Sequence, residues 1–209
     1  MSKIIGFIFF LSICVYSVAV QANPETYNFK DPKGVNAVSI ILDSALEPNT
    51  GFANTIDGTI TFDPVEKKIL AGKFTVPTSS IIMSNNTMTQ VLHSKSWLNA
   101  DAYPAITFDY LRTIAIGETI DTKYQLTVEG NLTIAGVTQI ITAPVTLTFH
   151  PGKLKDRNPG DNGDLVVLRS TFGIDRKAFN INTAVPDSIV ANIIQLKLNI
   201  VGASRTPKP

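Results

Sequence analysis

The stretch that leaves this chain least freedom is residues 124–134, YQLTVEGNLTI. Tyr124, Leu126, Val128, Leu132 and Ile134 fall on one parity; Gln125, Thr127, Glu129, Asn131 and Thr133 fall on the other. A period of two is a β-strand with one face out of water. The apolar row has one break, Gly130, on the buried parity. The pattern occurs twice earlier, as Ile56, Gly58, Ile60, Phe62 and as Leu70, Gly72, Phe74, Val76. Each copy reads apolar-x-Gly-x-apolar-Thr-apolar, so each glycine points inward. An inward glycine lets a strand coil sharply, as barrel corners need, and removes a side chain from the interior. Repetition of that device implies either tight bends in the wall or room for something inside it.

The rest of the chain reads as more strands separated by turn chemistry. Residues 35–42 are a β-branched run, and residues 52–62 form the second long strand. A turn at Asp63-Pro64 and Glu66-Lys67-Lys68 returns the chain along residues 69–76, which makes these two glycine-bearing strands hairpin partners. One region is not β: Ser84-Asn85-Asn86 caps a helix over residues 87–92. Ile106, Phe108 and Tyr110 then alternate with Thr107 and Asp109. Ala135-Gly136 turns the key strand back into residues 137–149, and residues 151–164 form a polar loop. Residues 165–175 and a last strand with Ile194, Leu196, Leu198 and Ile200 on one parity complete the set. The total is about eight strands with no helical layer, which leaves a sandwich or a closed barrel. The recurring inward glycines favour an all-β antiparallel eight-stranded barrel with one short helix. Eight strands is the size whose interior either just fills or holds one small ligand.

The N-terminus sets the compartment. Lys3 is followed by an almost wholly apolar run over residues 4–16, then by Val20-Gln21-Ala22 with small residues at cleavage spacing. Residues 1–22 are expected to be a cleaved secretory signal peptide, leaving residues 23–209 as one domain, periplasmic or secreted. The apolar run falls short of the roughly 20 residues a membrane span needs. A lipoprotein signal at Cys14 would place the bulky Ile13 where a small residue belongs. Cys14 is the only cysteine, so the mature domain has no disulfide and no thiolate site. Lys3 is the only charge in residues 1–22, so the 18 basic and 17 acidic groups of the chain become 17 of each. A neutral surface gives no footprint for nucleic acid or anionic membrane.

The search for catalytic chemistry finds nothing assembled. His93 and His150 stand in neither HxxxH nor HExxH spacing, so no metal site is expected. There is no G-x-S-x-G, P-loop or GxGxxG pattern, and no cofactor is implied. Asp156, Asn158, Asp161 and Asp164 crowd one loop, but Asp161 stands where a calcium loop needs glycine and Val167 where it needs glutamate. What remains is apolar. Met83 and Met88 flank the helix cap, and Trp97, Tyr103, Phe108 and Tyr110 follow closely. With the inward glycines, they raise a lipophilic cavity as a hypothesis.

Four segments carry a resemblance to a known family. They are Gly51-Phe52 through Gly58-Thr59-Ile60-Thr61-Phe62-Asp63-Pro64; residues 92–108, LHSKSWLNADAYPAITF; residues 130–138, GNLTIAGVT; and residues 169–174, RSTFGI. In this order they resemble the YceI-like family of exported polyisoprenoid-binding proteins. The resemblance implies a lipocalin-like barrel with an isoprenoid chain in its lumen, serving binding, transport or storage, and no established enzymatic activity. Two departures stand out. Met88-Thr89-Gln90-Val91 replaces an Arg-Asp-x-His run, and Ala135 replaces a frequent histidine. Both remove polar groups expected near the cavity mouth.

On this reading the cavity is lined by Phe52, Ile60, Phe74, Met83, Met88, Leu92, Trp97, Ile106, Phe108, Tyr110, Leu126 and Leu132. The partner is an isoprenoid or other long-chain lipid, with a homodimer left open. Two alternatives remain: an enzyme using His93 or Tyr103 as acid or base, and a ligand-free barrel serving as an envelope interaction or stress protein.

Overall fold

In the computed structural model, which describes residues 24–205, the alternation that opens the sequence reading is the middle strand of a closed sheet. The strands are β1 (Glu25–Asn28), β2 (Ala37–Leu42), β3 (Asn49–Ala53), β4 (Asp57–Asp63), β5 (Lys68–Pro77), β6 (Ile81–Met83), β7 (Ala105–Ile120), β8 (Lys123–Ile134), β9 (Val137–His150), β10 (Gly163–Asp175) and β11 (Ile193–Arg205). All pairings are antiparallel. The expected signal peptide and its cleavage point at Ala22 lie outside the described residues.

Eight strands close a barrel in the order β1-β4-β5-β7-β8-β9-β10-β11, with β11 returning to β1. Closure is made at one end only, where Asn28 meets Ala203. Along the other half of β11, from Gln195 to Asn199, the neighbour is β2. Strands β3 and β6 extend the wall beyond β2. The barrel is therefore narrow at one end and widened at the other.

Parity in β8 follows the alternation: Tyr124, Leu126, Val128, Gly130, Leu132 and Ile134 are buried, and the intervening residues are not. The β8–β9 turn is the two-residue loop Ala135-Gly136, with Ile134 opposite Val137. Both turn residues have positive φ, 48° and 78°, as a right-twisted hairpin requires. Helix α1 (Asn86–His93) is one residue longer at each end than expected. The Asn85 carboxamide oxygen accepts from Met88 N at 2.8 Å, which satisfies one of the helix's free N–H groups.

Three sequence expectations need correction. Residues 52–62 are not one strand; the chain breaks after Ala53, so that β3 pairs with β2 and β6 while β4 joins the closed barrel. Leu70 does not share the inward parity. The register shifts between Thr61 and Phe62, which turns Ile69 inward and leaves Leu70 44% exposed. The polar loop after β9 holds a short helix, α2 (Leu154–Arg157), whose Leu154 is fully buried. The loop is pinned to the segment after β1 by Arg157, which donates to Asp31 at 2.7 Å.

Candidate ligand cavity

The long barrel strands carry inward side chains from one end of the interior to the other, and the two ends are filled differently. At the narrow end Tyr27, Phe29, Phe62, Tyr124 and Phe149 pack edge to face or tilted, with centroids 5.1 to 6.5 Å apart once Phe74 is included. Leu126, Leu147, Val166 and Ile200 are buried among them. Burial raises the Tyr27 phenol well above its ordinary value, with the Asp164 and Glu25 carboxylates adding to the shift; burial raises Tyr124 as well. Both phenols stay neutral, so this end is a solid uncharged floor.

Above the floor lies a cavity of about 390 Å3. One side chain further along each strand the wall changes from floor to cavity: Val128 and Leu132 on β8, Ala143 and Val145 on β9, Leu168 and Phe172 on β10, Leu196 and Leu198 on β11. Strand β2 adds Val38, Ile40 and Leu42 where the barrel widens. Of the residues expected from sequence, Ile60, Phe74, Met83, Met88, Leu92, Trp97, Ile106, Phe108, Tyr110 and Leu132 line it. Two do not. Phe52 points outward from β3 beside Ile82 and is 43% exposed, because breaking the long strand put β3 in a separate register. Leu126 is 3% exposed but belongs to the floor, two residues below Val128. The contributions of β2, β9, β10 and β11 were missed, although the parity of β9 and β11 carries the signal.

Of the three inward glycines only Gly72 borders this space; Gly58 and Gly130 do not create it. A Cβ on Gly130 would lie 2.3 Å from Phe108 Cζ, and one on Gly58 would lie 2.4 Å from Phe74 Cδ1. At both glycines a phenyl ring from the next strand covers the missing side chain. At Gly72 the neighbours are Tyr110 Cβ at 3.2 Å and Ile60 Cγ2 at 3.5 Å. Glycine here permits an aromatic side chain to lie against strand backbone, which fixes the curve of the wall.

The wide end is covered by α1 and by the segment between β10 and β11. Thr87, Met88, Val91 and Leu92 face the cavity from one side of α1. Another side of the helix seals the edge of β6: Thr89 Oγ1 accepts from Met83 N at 2.9 Å, and His93 Nε2 meets Ile81 O at 2.9 Å. A carbonyl only accepts, so that ring nitrogen carries the proton. Spacing of four along the helix matches alternate residues along the strand. An edge that would otherwise pair with another chain is thereby closed.

The second cover is held by a residue that sequence reasoning passed over. Arg176 is fully buried. Its Nε donates to Ala191 O at 3.2 Å. Nη1 reaches Ile181 O at 3.1 Å and Asn182 O at 2.5 Å, and Nη2 reaches Val185 O and Val190 O, each at 3.0 Å. Asp187 stands 3.5 Å away. One guanidinium thus gathers residues 181–191 and sets Ile181 and Val190 in the cavity wall. A lone arginine in a stretch without periodicity gives no advance sign of this.

Polar groups in the wall are few and mostly engaged. Tyr110 Oη donates to Ile69 O at 2.8 Å, and Ser170 Oγ donates to Pro144 O at 2.6 Å. Among the described residues, no cluster of histidine, cysteine, aspartate or glutamate could hold a metal ion. What the arrangement offers is apolar burial.

A family model of the YceI-like domain matches residues 35–202. The chain belongs to the YceI-like family. This YceI-like barrel is similar to BcnA of Burkholderia cenocepacia, with 25% identity and a TM-score of 0.63 over 79% of this chain and 95% of that one. It is similar to a Campylobacter jejuni YCEI protein, with 22% identity and a TM-score of 0.62 over 76% and 85% of the two chains. It also resembles a polyisoprenoid binding domain from Saccharophagus degradans implicated in plant cell wall breakdown. There identity is 8% and the TM-score 0.59, over 87% and 99% of the chains. No curated protein matches the chain. Of the two departures from the YceI-like pattern, Met88 and Val91 do line the cavity, whereas Ala135 sits in the β8–β9 turn and packs behind the lining.

Proposed function

We propose that this protein binds a lipophilic, isoprenoid-type molecule in the lumen of its barrel and carries or stores it, without catalysing its conversion. The observation that supports this best is the cavity itself: about 390 Å3, walled by aliphatic and aromatic side chains and floored by neutral aromatic rings. Each CH2 that such a wall removes from water contributes about 0.8 kcal/mol, so a long tail needs enclosure and little polar recognition. The ligand class described for the Saccharophagus degradans domain agrees with that chemistry. Export under the signal at residues 1–22 would place the protein in the periplasm, where a carrier for an insoluble lipid has a use. The ligand-free alternative needs a filled interior, and the open volume above the floor argues against it.

Extraction of the purified protein with organic solvent, followed by mass spectrometry, tests the reading. A lipophilic species in near-stoichiometric amount is the expected result, on a protein whose intact mass begins at Asn23. Recovery of no lipid from protein taken directly from its own cell envelope would count against it.

A further inference from the structure

We infer that the cavity selects a lipid whose headgroup is uncharged, and that Glu47 at the mouth discriminates against anionic ones. The inference rests on the lipid-binding reading and narrows it. Among the described residues, the cavity lining holds a single side chain that is charged at neutral pH, Glu47, and that is a carboxylate. It lies in the loop joining β2 to β3, exposed, beside Asn49, whose Nδ2 donates to Glu47 O at 3.1 Å. No lysine, arginine or histidine joins them in the wall.

A phosphate or carboxylate headgroup drawn inside would lose its hydration and find no cation to pair with. Of the four hydroxyls in the wall, those of Tyr110 and Ser170 already donate to backbone carbonyls, and those of Thr87 and Thr107 carry no charge to set against an anion. Arg176, behind Ile181 and Val190, spends its guanidinium on five carbonyls and is fully buried. A charge buried without a partner is strongly disfavoured, so the headgroup stays outside. An anion held at the mouth instead meets the Glu47 carboxylate, a repulsion that salt screens over roughly 10 Å at 0.1 M. An alcohol, amide or quinone meets neither obstacle, and the Ser170 oxygen can still accept from an alcohol or an amide.

The test is displacement of an uncharged fluorescent naphthylamine probe from delipidated protein by geranylgeraniol and by geranylgeranyl monophosphate. Both lipids share one tail and are used below their micelle concentrations. The alcohol should displace the probe at a concentration at least about tenfold lower than the phosphate. Glu47→Lys should narrow that gap, and added salt should reverse the narrowing, a response that a purely structural change in the loop would not produce. Equal or tighter binding of the phosphate by the wild type, while the alcohol also binds, overturns this inference and leaves the lipid reading standing. So does a gap unmoved by Glu47→Lys, for the role given to Glu47. Failure of both lipids to displace the probe overturns the lipid reading and this inference with it.

Discussion

At the scale of single residues, the glycines carry the most information. Gly130 has ordinary backbone geometry, so a side chain there is forbidden by its neighbour. Phe108 Cζ at 2.3 Å and Asp109 O at 2.8 Å both stand in the way. The ring can swing aside; the carbonyl cannot without moving β7. Gly130→Ala is therefore expected to destabilise the fold by about 1–3 kcal/mol, read from denaturant unfolding. Its double variant with Phe108→Ala should cost less than the two singles summed, because the clash and the ring share one space. Additive losses would mean that the ring does not lie over the glycine. Asp31 makes a second residue-scale case. Burial works to raise its carboxyl, but hydrogen bonds from Val35 N, Arg157 and Lys33 N outweigh that and hold it below the ordinary value. A carboxyl depressed on folding adds stability above its unfolded value of about 3.9 and loses it as pH falls through the folded value. Asp31→Asn should thus cost about 1.5–3 kcal/mol at pH 7 and progressively less below pH 4. A cost that does not change with pH would show that the charge is irrelevant there.

At the scale of elements, sequence periodicity located most of the wall and misjudged its joints. Alternation placed β8, the second half of β9 and β11, because each buries one face along its length. It failed at residues 52–62 and at Leu70, where a strand break and a bulge change parity without altering composition. The inward glycines were legible as glycines; that phenyl rings from the next strand cover two of them depends on strand pairing, which no single stretch encodes. The cavity cover was legible in α1, through Asn85 and the flanking methionines. It was not legible in residues 176–192, where one buried arginine substitutes for regular structure. That gives a prediction. Arg176→Met would leave five carbonyls without a donor and is expected to destabilise by about 3–5 kcal/mol. Arg176→Lys should recover little, since an ammonium cannot reproduce the planar five-donor fork. Hydrogen exchange should locate the loss in residues 177–192 before the barrel strands. Uniform loosening of the barrel would contradict the assignment of Arg176 to the cover alone.

At the scale of the whole molecule, the barrel joins two interiors in one wall: an aromatic floor that gives stability, and an apolar chamber widened by β2, β3 and β6. The account stands or falls on whether the chamber takes a lipid tail, and the direct measurement is denaturant unfolding of delipidated protein with and without a polyprenol. At a hundredfold excess over its dissociation constant, the lipid should stabilise wild type by about 2.7 kcal/mol. Phe108→Ala, which removes a chamber wall, should gain less. Asp109→Ala, on the outer face and paired with Lys73 at 3.4 Å, should gain as much as wild type. Without lipid, Phe108→Ala should cost roughly the transfer term of 1.5–3 kcal/mol, since open space already adjoins the ring. No lipid-dependent gain in wild type, together with a core-like loss of about 3–5 kcal/mol for Phe108→Ala, would contradict the account and leave a filled barrel in its place.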